Sequence, residues 1–397
     1  MAETVDQIFV IGKGWLVSLL AGWFPLEWQE MVGAVLSAVI SVASMLGVFL
    51  FLFGITTVLE RKGLGRVQNR YGPNRVGPWG FLQFVADGIK ALIKEDVVPR
   101  AADRWVHFLA PIVLLVCVIA TFAVLPVGRN MVPVDLDAGI LFFFAAGAAS
   151  ELAVFMAGWA SRNKYSLFGA MRAIAQMISY EVPLILSAVP VIMIVGSLST
   201  VRIVEAQAVY SGAWPGWHVF TPWGVAGLVL FLIAATAEMN RSPFDLPEGE
   251  SELVAGYFTE YSGFKFAMFF IAEYLGMLAM SAAAVTLFLG GWSAPFSFLT
   301  WIPSWIWFFA KLMMLVGMFI WVRGTVPRLR MDQLMNFAWK FLLPMALINI
   351  GVAGVWHLMS PGVVRWVVTV GAVLLAYHGL SRSFAVQRPR RVYRYAD

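Results

Sequence analysis

Apolar residues fall into long unbroken runs along this chain, not into the alternation of a half-buried strand or the narrow stripe of a surface helix. Nine such runs, at about 31–58, 106–127, 138–160, 173–195, 221–240, 264–290, 305–325, 338–357 and 363–382, reach or approach the roughly 20 residues that a helix needs to cross a bilayer. The pattern predicts an all-α polytopic membrane protein with eight or nine transmembrane helices and long loops on one side. Trp15, Trp23 and Trp28 spread over an apolar, helix-compatible start, which suits an interfacial segment better than a tenth crossing. Glu3 and Asp6, with no early Lys or Arg, set that start apart from a secretion signal. Three parts follow: an interfacial segment 1–30, a membrane domain of eight spans at 31–357, and a ninth span with a basic tail at 358–397.

Composition agrees and excludes a soluble domain, since 60% of the 397 residues are hydrophobic, 13% are charged and the mean hydropathy is +0.79. Cys117 is the only cysteine and sits inside the second run, so neither an intramolecular disulfide nor a cysteine-ligated cluster can form within the chain. The net charge of +5 carries topology and not nucleic-acid binding, because the basic residues are divided among loops. Of the 28 Lys and Arg, 23 fall on the loops after runs one, three, five and seven and on the C-terminal tail. The other side holds Lys13, Arg129, Arg202 and Arg365, and Lys311 lies within run seven. The positive-inside rule then puts the N-terminus outside and Arg382–Asp397 in the cytoplasm of a multi-pass protein. Between runs four and five, Gln207 reads as a plain loop residue.

Carboxylates in the apolar runs are the first candidate chemistry. At 1.5 Å per residue, Glu181 lies about 12 Å from the basic side, and Glu151 and Glu273 about 14 Å, on three different helices. An ionised carboxylate near mid-membrane costs around 2.5–3.5 kcal/mol even on the lenient scale, so each must be protonated, paired or wet. Glu238 ends run five, and the loop after it places Asp245, Glu248, Glu250, Glu252 and Glu260 against Arg241 alone. That acidic loop breaks the basic pattern of its own side and reads as the mouth of a proton path. A solvated acidic loop and isolated neutral carboxyls are the alternative. Pro183 and Pro190 follow Glu181, where a kink would free carbonyls to hold water.

In the first basic loop, Gly72, Pro73, Gly77 and Pro78 force turns ahead of an amphipathic helix whose apolar positions are Phe81, Phe84, Val85, Ile89, Leu92 and Ile93. Such a helix either anchors to lipid or lines the entrance for an amphipathic ligand. No GxGxxG or Walker A pattern occurs, and His107, His218, His357 and His378 make no paired metal motif. His107 and His378 near run ends suit hydrogen bonding better than haem ligation. Any electron reaction served by this chain therefore needs a partner to bring the electrons.

Four long motifs in order then carry a resemblance: ERKGLGRVQNRYGPNRVGPWGFLQFVADGIKALIKED at 60–96, AGWASRNKYSLFGAMRAIAQMISYEVPL at 157–184, AEMNRSPFDLPEGESELVAGYFTEYSG at 237–263 and WVRGTVPRLRMDQLMNFAWKFLLP at 321–344. From about Glu60 to Pro344 the sequence closely resembles the H-subunit family of proton-pumping NADH:quinone oxidoreductase, respiratory complex I, the counterpart of mitochondrial NADH dehydrogenase subunit 1. The resemblance implies a bacterial inner-membrane translocase (EC 7.1.1.-) whose subunit of this kind forms much of a tunnel for ubiquinone or menaquinone. It also implies that NADH, FMN and the iron–sulfur clusters are handled by partner subunits. Partners would be the peripheral-arm subunits at the quinone site and the small membrane subunits, with quinone and membrane lipid as ligands and no nucleic acid. By this resemblance Arg61, Arg70, Asp87, Lys90 and Glu95 match tunnel-side or adjacent positions, and Arg241, Asp245, Glu248, Glu250 and Glu252 match the loop beside the cavity. Glu151, Glu181, Glu238 and Glu273 match carboxylates that begin the proton-coupling chain. The family has eight spans, so the ninth run and the first 30 residues depart from it. Two other readings stay open: the related subunit of an energy-converting hydrogenase or ferredoxin-linked complex, and a free-standing proton transporter.

Overall fold

The computed structural model describes residues 6–212, 214–246 and 255–384. Every one of the nine apolar runs contains a helix. In chain order the α-helices are α1 (Ile8–Ala21), α2 (Leu26–Val67), α3 (Gln83–Ile93), α4 (Arg104–Thr121), α5 (Gly139–Ala160), α6 (Lys164–Val195), α7 (Thr200–Gln207), α8 (Pro222–Glu238) and α9 (Gly263–Phe288). They continue with α10 (Ser304–Thr325), α11 (Met331–Phe337), α12 (Leu343–Leu358) and α13 (Val363–Phe384). A π-turn at Ala338–Leu342 joins α11 to α12 in one column. A two-residue hairpin, Tyr210–Ser211 against Trp214–Pro215, is the only sheet among the described residues. Among the described residues eight helices are long and apolar enough to cross a membrane, and α8, at 17 residues, falls just short. The chain is an all-α, multi-pass membrane protein.

Burial separates the helices into an inner and an outer set. In α9 the most apolar window is 67% buried, whereas in α13 it is 6% buried, so α9 is the hub and α13 lies on the rim. The prolines at 183 and 190 sit inside α6, which stays helical across both. The helix α2 has 42 residues. At 1.5 Å per residue that is about 63 Å, roughly twice the hydrocarbon thickness, so it must tilt or project. Helix α1 turns back along α2 and is too short, at 14 residues, to cross. Lys13 of α1 donates to Ser41 of α2 at 3.1 Å. Gly54 lets the first-loop helix close on α2, since a Cβ there would sit 2.6 Å from the Phe84 ring.

Run seven's lysine and the loop residue at 207 are both structural. Lys311 is 7% exposed, and its ammonium donates to the carbonyls of Leu289, Gly291 and Ser293 at 2.7, 2.9 and 2.7 Å, beyond the C-terminus of α9. Its Nζ also lies 3.9 Å from the Trp217 ring centre. The chain turns there through Gly290 and Gly291, both at positive φ. A cation with three donors answers the orphan carbonyls and the negative end of the helix dipole together. Gln207 corrects the reading of a plain loop residue. It is fully buried, donates to Thr286 O at 2.9 Å, and accepts from Gly290 N–H at 3.1 Å, locking α7 to the same turn. Polar residues look alike in sequence whether they face water or tie a buried turn. Lys311→Met should orphan three carbonyls at about 1–3 kcal/mol each and lower the thermal midpoint of the purified protein. An unchanged midpoint would show that the turn holds without the lysine.

Candidate functional site

Where α8 ends, the backbone must reverse without leaving its last carbonyls bare. Asn240 takes a left-handed φ of 51°, a conformation asparagine tolerates, and swings Arg241 back so that its N–H donates to Thr236 O at 3.1 Å. Gln176 of α6, fully buried, fixes this turn by donating to Ala237 O and Phe244 O, both at 2.7 Å. The result aims a guanidinium into the protein.

Arg241 is 4% exposed and holds two carboxylates. Its Nη1 donates to Glu60 of α2 at 2.5 Å, and its Nε lies 3.0 Å from Glu273 of α9. The guanidinium stacks 4.0 Å from the Tyr274 ring centre. Glu60, 2% exposed, also accepts from Arg323 near the end of α10. Two arginines and two glutamates from α2, α9, α10 and the loop after α8 thus form a neutral cluster. Burial pushes the Arg241 guanidinium down, but Glu273, Glu60 and Tyr274 more than offset it, so its pKa stands above the usual arginine value.

On α2 the residue after Glu60 faces the first loop. Arg61 pairs with Asp87 of α3 at 2.5 Å, and Gln83 donates to the other Asp87 oxygen at 3.0 Å. Of the apolar face read from sequence, Phe81, Val85, Ile89, Leu92 and Ile93 are exposed on or beside α3, and Phe84 packs toward Gly54 of α2. Arg70, Lys90 and Glu95 are exposed around this loop and not joined to the buried cluster. Arg70 donates to Gln68 at 2.7 Å. The Glu95 carbonyl accepts from Ser262 at 3.1 Å, which ties the first loop to the start of α9. The Asp245 carbonyl accepts from Arg328. Glu248, Glu250 and Glu252 lie outside the described residues.

The membrane carboxylates divide into two groups. Glu151, Glu181 and Glu238 are electrostatic neighbours from α5, α6 and α8. Glu273 instead belongs to the arginine cluster. A cavity of about 80 Å³ touches both Glu238 and Glu273 and is also lined by Ser150, Asn240 and Tyr257. A water needs roughly 10–15 Å³ by this measure and several polar partners, so the space suits a short water file. His107 is buried, stacks on Tyr261 at 4.0 Å between ring centres and lies 3.3 Å from Glu260 O, a hydrogen-bonding role at a helix end.

A family model described as NADH dehydrogenase matches residues 40–354. The chain belongs to that NADH dehydrogenase family. Among its relatives, the H subunit of the NADH-quinone oxidoreductase of Dehalococcoides mccartyi strain CBDB1 is 47% identical over 343 residues, covering 85% of this chain and 93% of that protein. The corresponding H subunit of Carboxydothermus hydrogenoformans is 44% identical, covering 86% of this chain and 95% of that protein. For that of Geobacillus kaustophilus the figures are 47%, 85% and 96%. The family match omits α1, the start of α2 and α13.

In this NADH dehydrogenase family member, Glu60, Arg323, Tyr274 and Gln176 are the site residues that sequence reasoning left without a role. Glu60 and Arg323 stand at the ends of apolar helices, where a charge reads as a topology mark; opposite signs at the same end of two spans were the available signal. Removing one partner of a buried ion pair costs about 3–5 kcal/mol because the other charge stays behind. Arg241→Ala should lose stability on that scale, and Arg241→Ala with Glu60→Gln should lose less than the sum of the singles. Thermal unfolding of the wild type, the singles and the double mutant measures the coupling. Additive losses would show that the arginine and the glutamate act independently.

Proposed function

We propose that the chain is the membrane subunit of a proton-translocating NADH:quinone oxidoreductase, in which partner subunits deliver electrons and this subunit walls the quinone's path and begins proton coupling. The relatives, each an H subunit of an NADH-quinone oxidoreductase by name, support the assembly. One observation carries the coupling half: titratable groups run from the first loop through Arg61–Asp87 and the Glu60–Arg241–Glu273–Arg323 cluster, across the small cavity, to Glu238, Glu151 and Glu181.

Reducing a quinone to a quinol takes up protons along with electrons, so a head group held near this chain of groups draws on it. The exposed apolar face of α3 suits an isoprenoid tail arriving from the bilayer, and the half-exposed Arg61–Asp87 pair supplies oriented charge for the head. Arg70, Lys90, Glu95 and Asp245 shape the rim of the same loops. Arg241 then acts as a positioning residue: it fixes Glu60 and Glu273, and its permanent charge sets how readily a proton leaves the neighbouring carboxyls. The acid group beyond the cavity passes the change inward. Redox cofactors are assigned to the partners.

Conservative amides test the path. Glu181→Gln keeps shape and loses the titratable proton, so assembly should persist while quinone reduction and proton pumping fall together. Glu273→Gln should add a stability loss, because it weakens an ion pair of Arg241. Asp87→Asn should reduce the response to short-tailed quinones while electron transfer to an artificial acceptor upstream of the quinone continues. If Glu181→Gln only lowered complex content and left activity per complex normal, the carboxyl would be structural. If Asp87→Asn lowered both electron reactions equally at normal complex content, the quinone wall would be wrongly placed.

The proposed orientation puts the N-terminus outside and the tail after α13 in the cytoplasm of a bacterial inner membrane, with the ninth helix crossing. In a Cys117→Ser background, a cysteine placed after Arg391 should react with an impermeant thiol reagent only from the cytoplasmic side. Labelling from outside intact cells would show that α13 does not cross.

A further inference from the structure

Between α1, the adjoining stretch of α2 and the loop after α4 lies a cleft of about 670 Å³, far larger than the cavity at the acid groups and remote from it. Its size falls within the ~300–1,000 Å³ of ordinary small-molecule sites. The cleft is built, not an accident of a loose end. Asp6 accepts from the Ser304 N–H at 2.6 Å and from its hydroxyl at 2.5 Å, at the first residue of α10. Gln7 donates to Arg129 O at 3.3 Å, and Phe9 meets Trp305 edge-on at 5.5 Å between ring centres. Deep in the cleft the walls are apolar, with Phe9, Met45, Val48 and Phe309. Toward the tip of the α1–α2 hairpin they turn polar, with Lys13 and Ser41.

Lys13 gives the cleft its chemical sign. Among the described residues it is the only charged side chain in the lining and makes no ion pair, and it donates to the neutral Ser41 hydroxyl. Beyond it, the tip of the hairpin exposes Trp15, Trp23 and Trp28 by 63, 82 and 55%, the side chains expected at a headgroup boundary. A largely apolar slot with one cation toward the hairpin tip and exposed tryptophans beside it matches one molecule in shape and charge. We propose that this cleft binds an anionic phospholipid, its acyl chain between α1 and α10 and its phosphate on Lys13. Helix α1 lies outside residues 40–354 of the family match.

The test uses the full chain in whatever assembly it purifies with, reconstituted in vesicles that contain trace photoactivatable phosphatidylglycerol, phosphatidylcholine or a quinone analogue in separate samples. Cross-links are mapped by peptide. Phosphatidylglycerol should label residues 8–16 and 40–48 several-fold more than phosphatidylcholine, and Lys13→Ala should bring the two to one level. Gly12→Leu fills the slot without a clash, since a Cβ there meets nothing within 4 Å, and should suppress labelling by both lipids there while leaving labelling elsewhere unchanged. Equal labelling by the two lipids in wild type would reduce the cleft to general lipid contact and overturn the proposal. So would labelling by the quinone analogue alone, or a phosphatidylglycerol signal indifferent to Lys13→Ala. If Gly12→Leu fails to accumulate, the Lys13→Ala comparison decides by itself.

Discussion

A guanidinium held away from water must be answered by anions, and most of the architecture around the site serves that demand. Arg241 can sit at 4% exposure only because Glu60 and Glu273 reach it from α2 and α9. Glu60 in turn is tolerable at 2% exposure because Arg323 takes its other oxygen. Every member would be costly alone, so four segments distant in sequence are forced to a common point. Gln176 and the left-handed Asn240 matter because they fix the direction in which the arginine leaves its helix.

The same solvent logic made the fold legible from sequence. In hydrocarbon the backbone must satisfy itself, so a long apolar run has few options besides a helix, and all nine runs contain one. Amphipathic α3 was visible for the same reason, as a periodic exception among uniformly apolar segments. The buried carboxylates stood out because their residue type contradicts their surroundings.

Pairing was not legible. Glu151, Glu181 and Glu273 share a depth, but depth along an axis says nothing about which way a side chain points around it. Glu273 turned to Arg241, and Glu238 joined the other two. Glu60 and Arg323 were hidden by an ordinary meaning: charges at span ends usually mark where the membrane stops. Gln207 was hidden by its neighbours, since nothing in a polar loop says that one amide of it will tie down a buried turn. Such facts are properties of three-dimensional closure and have no local signature.

The uninterrupted length of α2 has a mechanical consequence. Glu60 and Arg61 are successive residues on one rigid rod, and successive helical side chains project about 100° apart. One ends on the arginine cluster and the other on α3. Rolling the rod about its axis therefore cannot ease one ion pair without displacing the other, and the two act like teeth on a single gear. In its N-terminal half the same rod is gripped by α1 through Lys13 and Ser41. A torque applied at either half of the rod is delivered to both carboxylate contacts at once.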